Sequence, residues 1–174
     1  MSNASYPIGK FERPGTLSPA DRKTKIASLA SAPGKFRAAV LGLSDTQLDT
    51  PYRDGGWTVR QVIHHVADSH LNSYERFRLA LTENEPAIKA YDEKKWAELS
   101  DARTAPVEIS LDMLDAIHAR WVLLLNSFSP ADFAKTIRHS ENGVMTLDDC
   151  LAMYDWHGRH HTAHITSLRA AKNW

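Results

Sequence analysis

Four stretches of the chain repeat apolar residues at the 3.6-residue period of an α-helix, each behind a recognisable start signal. The first opens at Ser18-Pro19, where a serine cap and a proline at the first helical position satisfy or remove orphan amides. Its stripe passes Ile26 and Leu29, breaks at Pro33-Gly34 and resumes at Phe36, Val40 and Leu43, which predicts two short helices or one kinked helix. The second has Thr58 and Gln61 in capping-box spacing, then Val59, Val62, Ile63, Val66 and Phe77 on one side, a helix over roughly residues 58–82. The third is capped by Ser110 and turns Leu111, Leu114, Ile117, Trp121, Leu124, Leu125 and Phe128 inward, with a short helix starting after it at Ser129-Pro130. The last opens at Thr146, with Asp148 and Asp149 in its first turn, and runs to about Ala171.

The segments between are punctuated differently. Residues 6–16, with Pro7, Gly9, Pro14 and Gly15, read as an extended lead-in, and Met1 to Ala4 ahead of them are polar and patternless. The run LDTPYRDGGW, residues 48–57, is a loop. Residues 83–109, bounded by Pro86 and Pro106, form a long connection with one helical turn around Lys94 to Leu99. Connections of that length in a small domain are often functional, and the acidic-aromatic stretch from Tyr91 to Trp96 is placed at the rim of a pocket. Asn142-Gly143 is a two-residue turn signal for a small hairpin within residues 136–146. No repeat or linker interrupts the series. The fold class expected is all-α: a four-helix bundle with long crossover connections and one small β-hairpin, forming a single domain over residues 1–174 with an extended N-terminal segment over 1–16.

Composition narrows the function. Lys+Arg and Asp+Glu both number 21, and no run of like charge reaches the length of a nucleic-acid-binding or lipid-binding tail, so neither nucleic acid nor membrane is an expected partner. The one cysteine, Cys150, cannot pair internally, and neither a secretory leader nor an apolar stretch of ~18 residues appears. The cytoplasm is the expected compartment. Only histidine is unusual: of nine, seven fall in two clusters, His64, His65 and His70, then His157, His160, His161 and His164.

Helical phase sorts these histidines. Residues four apart lie on one face one turn above the other, which suits a shared metal, and the last helix holds two such pairs, His157/His161 and His160/His164. Leu147, Leu151, Tyr154, Ile165 and Leu168 mark its buried side. At ~100° per residue His161 lies within about 30° of that stripe's centre and His157 at about 70°, whereas His164 falls at about 90° and His160 at about 130°, toward the flank and solvent. The expected pair is His157 with His161. On the second helix His65 borders the core stripe together with Ser69, Asn72 and Arg76, while His64 points further away; His65 is the expected third ligand and His70 the reserve. His118, near Trp121, reads as a hydrogen-bonded core residue.

Three imidazoles without thiolate or carboxylate suit one divalent ion per subunit, zinc first and nickel second, with a position left open for water or a small-molecule substrate. Such an ion can lower the pKa of water toward ~7 or activate a thiol. The sequence H-E-x-x-H is absent, so no adjacent general base is declared. Asn72 and Arg76 are the expected catalytic helpers, the arginine as a holder of a substrate carboxylate or phosphate, and Asp68, Asp92, Glu93 and Asp155 read as solvated charges.

The segments YPIG, LDTPYRDGGWTVRQVIHHVADSH, YDEKKWAEL and YDWHGRHHTAHI resemble the YfiT-like metal-dependent hydrolases of the DinB superfamily, a likeness that runs from about Tyr6 to the C-terminus. The resemblance implies a four-helix bundle, a cytoplasmic homodimer and a zinc or nickel centre of three histidines, which on this chain are His65, His157 and His161. The wider superfamily continues with Arg-Gly-Gln after the last histidine, whereas His161 is followed here by Thr162, Ala163 and His164. Three activities are therefore expected, in order: hydrolysis at the metal centre, S-transfer from a low-molecular-weight thiol such as a bacillithiol, and a non-catalytic bundle that merely binds metal.

Overall fold

A computed structural model describes residues 4–174. The chain runs α1 (Pro19–Val40), α2 (Asp45–Leu48), α3 (Val59–Thr82), β1 (Ala87–Ile88), α4 (Glu93–Trp96), α5 (Ser100–Thr104), α6 (Val107–Asn126), α7 (Pro130–Phe133), β2 (Thr136–His139), β3 (Gly143–Thr146) and α8 (Leu147–Lys172). The four long helices close a ring in which α1 and α3 each pack against both α6 and α8. This is the expected four-helix bundle. Of the expected N-terminal segment, residues 1–3 lie outside the described residues and residues 4–16 carry neither helix nor strand. Among the described residues no helix is long and apolar enough to cross a membrane.

Capping boxes at Ser18, Thr58 and Thr146 start α1, α3 and α8 where expected. Of the two alternatives expected at Pro33-Gly34, two short helices or one helix, the chain takes the single helix, since α1 continues through Pro33. Pro33 is buried, and packing of Leu29, Ala32, Phe36 and Val40 on both sides of it holds the helix together despite one missing amide. The third long helix begins a turn earlier than Ser110, with Pro106 in the cap position. Its apolar stripe already starts at Val107, and burying that turn outweighs the missing side-chain cap, while Ser110 is itself buried inside the helix.

Three elements fill the connection after α3: β1, α4 and α5. The hairpin forms, but its loop is residues 140–142, with Gly143 opposite His139 at the start of β3 and a φ of 68°. Glycine tolerates this left-handed position, and the loop has three residues rather than the two expected. Strand β1 adds in parallel to β2, making a sheet of three strands.

Two apolar clusters fill the bundle. One, toward the sheet, is built on Phe77, Trp121, Leu125, Leu147 and Leu151, and the other on Phe36, Val62, Val66, Leu114 and Ile165. On α8 the first cluster ends at Tyr154 and the second resumes at Ile165; on α3 the corresponding gap lies between Ala67 and Phe77. Between them runs a belt of buried histidines, the feature that positions the site.

Candidate metal centre

His65 comes from the second turn of α3, His157 and His161 from the middle of α8, and their ligand nitrogens all lie within 4.8 Å of one another. The Nε2 atoms of His65 and His157 are 3.3 Å apart. Two nitrogens each ~2.0–2.1 Å from one tetrahedral ion stand about 3.3–3.4 Å apart, so this spacing already fits a shared cation. The His161 ring centroid lies 4.9 Å from that of His65 and 4.5 Å from that of His157.

Burial keeps these imidazoles in the neutral form a cation requires. Desolvation, reinforced by His160, pulls His65 down to about 4. Burial, with neighbouring histidines adding to it, holds His157 and His161 well below the usual histidine range. Among the described residues no carboxylate is hydrogen-bonded to any of the three.

The two histidines assigned by phase to the flank and solvent are buried: His160 and His164 are 6% and 3% exposed. Helical phase registers only the helices packed against α8, and this face is covered instead by Trp156 of α8 itself and by residues from non-helical chain. Trp156 stacks on His160 at 4.3 Å with Tyr6 beside it, and Tyr52 stacks on His164 at 4.0 Å. His160, His161 and His164 thus form a second group whose nitrogens could converge on an ion. His164 Nε2 donates to the Ser5 carbonyl at 3.4 Å, so its Nδ1 is the acceptor for His161 Nδ1–H at 3.3 Å. With Nδ1 so engaged, His161 offers Nε2 as its ligand atom.

His64, expected to point away, is also buried; it donates from Nε2 to the Ala105 carbonyl at 3.1 Å and accepts the Ser110 hydroxyl at 2.7 Å. Both nitrogens of the reserve ligand His70 are engaged as well, one with His118 at 2.7 Å and one with His157 at 3.1 Å, which leaves none for a metal. His118 is the hydrogen-bonded core residue expected, bonded to the Leu29 carbonyl at 2.7 Å.

The histidine group opens into a cleft of about 770 Å³. Tyr6, Tyr52, Trp57 and Trp156 supply aromatic wall, and Gln61, Glu93, Lys94 and Glu98 supply polar rim. Trp57 lies against His65, with ring centroids 4.6 Å apart. Glu93 and Lys94 belong to the stretch expected at the rim, which α4 brings there, and burial raises the Glu93 carboxyl above its ordinary range. The cap of α3 also reaches the rim: Gln61 donates to the Ala97 carbonyl at 2.8 Å and ties α3 to the chain after α4.

The expected helpers sit elsewhere. Asn72 donates to the Asp68 carbonyl one turn back, and Arg76 donates to the Tyr154 hydroxyl at 3.3 Å; neither lines the cleft. Asp68 is not a plain solvated charge, because burial and Asp101 push it up to about 6. Asp155 is an ion-pair partner of Lys25 and Arg159. Helical periodicity does not reveal the aromatic walls, whose signal in the sequence is the cluster of Trp57, Tyr52 and Tyr6 in segments with no helical period.

The chain is similar to known proteins over its whole length. The family model of the DinB superfamily matches residues 28–165. A protein of Bacillus mycoides (strain KBAB4) is 53% identical over 174 residues, all of both chains, and one of Bacillus cereus (strain B4264) is 54% identical over 176 residues, again all of both; each is provisionally named a metal-dependent hydrolase. YfiT from Bacillus subtilis, described as "a probable metal-dependent hydrolase with an unusual four-helix bundle topology", superposes with a TM-score of 0.97 at 47% identity over 99% of each chain. The four-helix bundle protein TT2238 shares the fold alone, at a TM-score of 0.56 and 20% identity over 86% of this chain and 98% of its own. On its sequence and its fold, the chain belongs to the DinB superfamily.

Proposed function

We propose that the protein is a metal-dependent hydrolase whose one divalent ion per subunit is held by His65, His157 and His161. The observation that carries this is the meeting of three neutral imidazoles at the wall of an open cleft, two with their Nε2 atoms already at the spacing of ligands to one ion. An all-nitrogen donor set with an open side favours zinc, with nickel next. The names of the relatives support the same reading.

When bound, such an ion supplies Lewis acidity and makes a coordinated water acidic near neutrality. The chain's own residues do the rest. Tyr52, Trp57 and Trp156 exclude water from one side of a small substrate, and Gln61 and Lys94 orient its polar groups at the rim. Glu93, whose carboxyl burial makes easier to protonate, is placed to take up and return a proton. The His65 group is preferred over His160, His161 and His164 because His161 and His164 already satisfy each other through their Nδ1 atoms. A cytoplasmic homodimer acting on a small molecule completes the proposal.

Metal analysis of the untagged protein, together with a panel of ester, amide and lactone substrates assayed with zinc or nickel, tests this reading. About one equivalent of metal is expected, lost in His157→Ala without loss of the helical circular dichroism, and hydrolysis is expected to need no thiol. Metal content that survives His157→Ala, or turnover only in the presence of a low-molecular-weight thiol, overturns it.

A further inference from the structure

Pro33 lies inside α1, four residues after Leu29. In a helix the Leu29 carbonyl would receive the N–H of residue 33, but proline has none, so the carbonyl is left without its helical donor. His118 Nδ1 reaches it at 2.7 Å from α6. A carbonyl oxygen only accepts, so the proton between them is on His118 Nδ1.

The polarity of everything downstream follows. His70 and His118 are buried and His157 half-buried, and among the described residues no carboxylate is bonded to any of the three, so each imidazole is carried neutral with one proton. With its proton on Nδ1, His118 presents the lone pair of Nε2 and accepts from His70 Nδ1 at 2.7 Å. His70 then presents the lone pair of its own Nε2 and accepts from His157 Nδ1 at 3.1 Å. His157 is left with a bare Nε2, the atom 3.3 Å from His65 Nε2.

We propose that His70 and His118 are positioning residues which hold His157 in its Nδ1–H tautomer, with the Nε2 lone pair turned to the cation, and that Pro33 sets the direction of this chain by freeing the Leu29 carbonyl. The inference rests on the metal centre proposed above, and it deepens that reading: α1, which supplies no ligand, takes part in the site through a missing amide. Outer partners of this kind fix the ring and the tautomer of a metal-bound histidine, and their loss typically lowers metal affinity by about 10–100-fold.

Long-range proton–nitrogen NMR on the metal-free full chain labelled with ¹⁵N-histidine reads the tautomers directly. His118, His70 and His157 are all expected as Nδ1–H. Zinc affinity is then measured by competition with a chelator for the wild type, His118→Phe and His118→Gln. His118→Phe keeps a flat buried ring but removes the acceptor, and a drop of about 10–100-fold is expected. His118→Gln can accept from His70 and donate to Leu29, and should recover most of that loss; a role in packing alone would favour Phe over Gln. An Nε2–H tautomer at His157, or Phe and Gln variants that bind zinc alike, overturns the inference while wild-type zinc binding leaves the metal centre standing. Failure of the wild type to bind zinc sinks the metal centre and the positioning role together.

Discussion

Acidification should unfold the metal-free protein through its histidines, and His65 lets the size be worked out. Burial holds His65 at about 4 in the folded chain, against an ordinary histidine value near 6.5 once the chain is open. The unfolded state therefore binds the proton more tightly than the folded state. Stability from this residue is fully present above the unfolded value, falls as the pH drops below it, and stops falling once the pH is under the folded value. At about pH 5 the linkage relation gives a loss of about 2 kcal/mol from this one ring, and the limiting loss for a shift of this size is about 3 kcal/mol. His157 and His161 are shifted in the same direction by burial, so the whole protein should lose more than His65 alone accounts for.

The assay is urea unfolding with a chelator present, at about pH 7.5 and about pH 5, for the wild type and His65→Gln. The glutamine cannot titrate, so the wild type should lose about 2 kcal/mol more than the variant over that interval. Equal losses in the two proteins would refute the reasoning, because they would mean that His65 is as easily protonated folded as unfolded. Saturating zinc should flatten the wild-type profile above about pH 5, since a bound ion holds the same rings unprotonated.

Two further outcomes follow from the same structure. Asp148 accepts from Arg22 Nε at 2.8 Å and Nη2 at 2.7 Å and from the Leu17 amide at 3.1 Å, and its side chain is 3% exposed. Asp148→Ala leaves the Arg22 cation and a buried amide unpaired and should cost about 3–5 kcal/mol in urea unfolding, with a loss under 1 kcal/mol contradicting the assignment. Gly158 lies in mid-helix with ordinary φ, and an added Cβ would meet Ala32 Cβ and His70 Cε1 at 3.8 Å, plain van der Waals contact. Gly158→Ala should therefore raise stability by about 0.4–1 kcal/mol in thermal melts, and a lowered melting temperature would show that the space beside His157 is tighter than this.

Local signals in the chain were good guides to where helices start, and poor guides to what covers them. Serine and threonine capping boxes marked α1, α3 and α8, because a cap is a contact between residues three apart. Ser110 misled because its hydroxyl is used across the bundle, on His64, and a partner on another helix leaves no trace in local spacing. The same limit explains the histidines. Phase around α8 turns His157 and His161 toward His65, yet leaves His160 and His164 outside, since their cover comes from Tyr6 and Tyr52 in segments without a period. Asn72 and Arg76 share a helical face with His65, but sharing a face is not sharing a cleft: Arg76 is turned to Tyr154.

The belt of imidazoles is tolerable because of where the apolar clusters lie. A continuous core through the middle of α3 and α8 would bury more carbon, but it would leave no face on which neutral rings could converge. By placing Phe77, Trp121 and Leu147 at one end and Phe36, Val62 and Ile165 at the other, the fold keeps its cohesion in two separate blocks. Among the described residues His160 Nδ1 has no hydrogen-bond partner, while the other rings of the belt are partnered by one another, by a serine hydroxyl and by three backbone carbonyls, those of Leu29, Ala105 and Ser5. The Leu29 carbonyl is available only because a proline follows four residues later in a helix that should otherwise have rejected it. The residue that reads in the sequence as a helix breaker is thus, in three dimensions, the origin of a hydrogen-bond chain that ends at the proposed metal ligand.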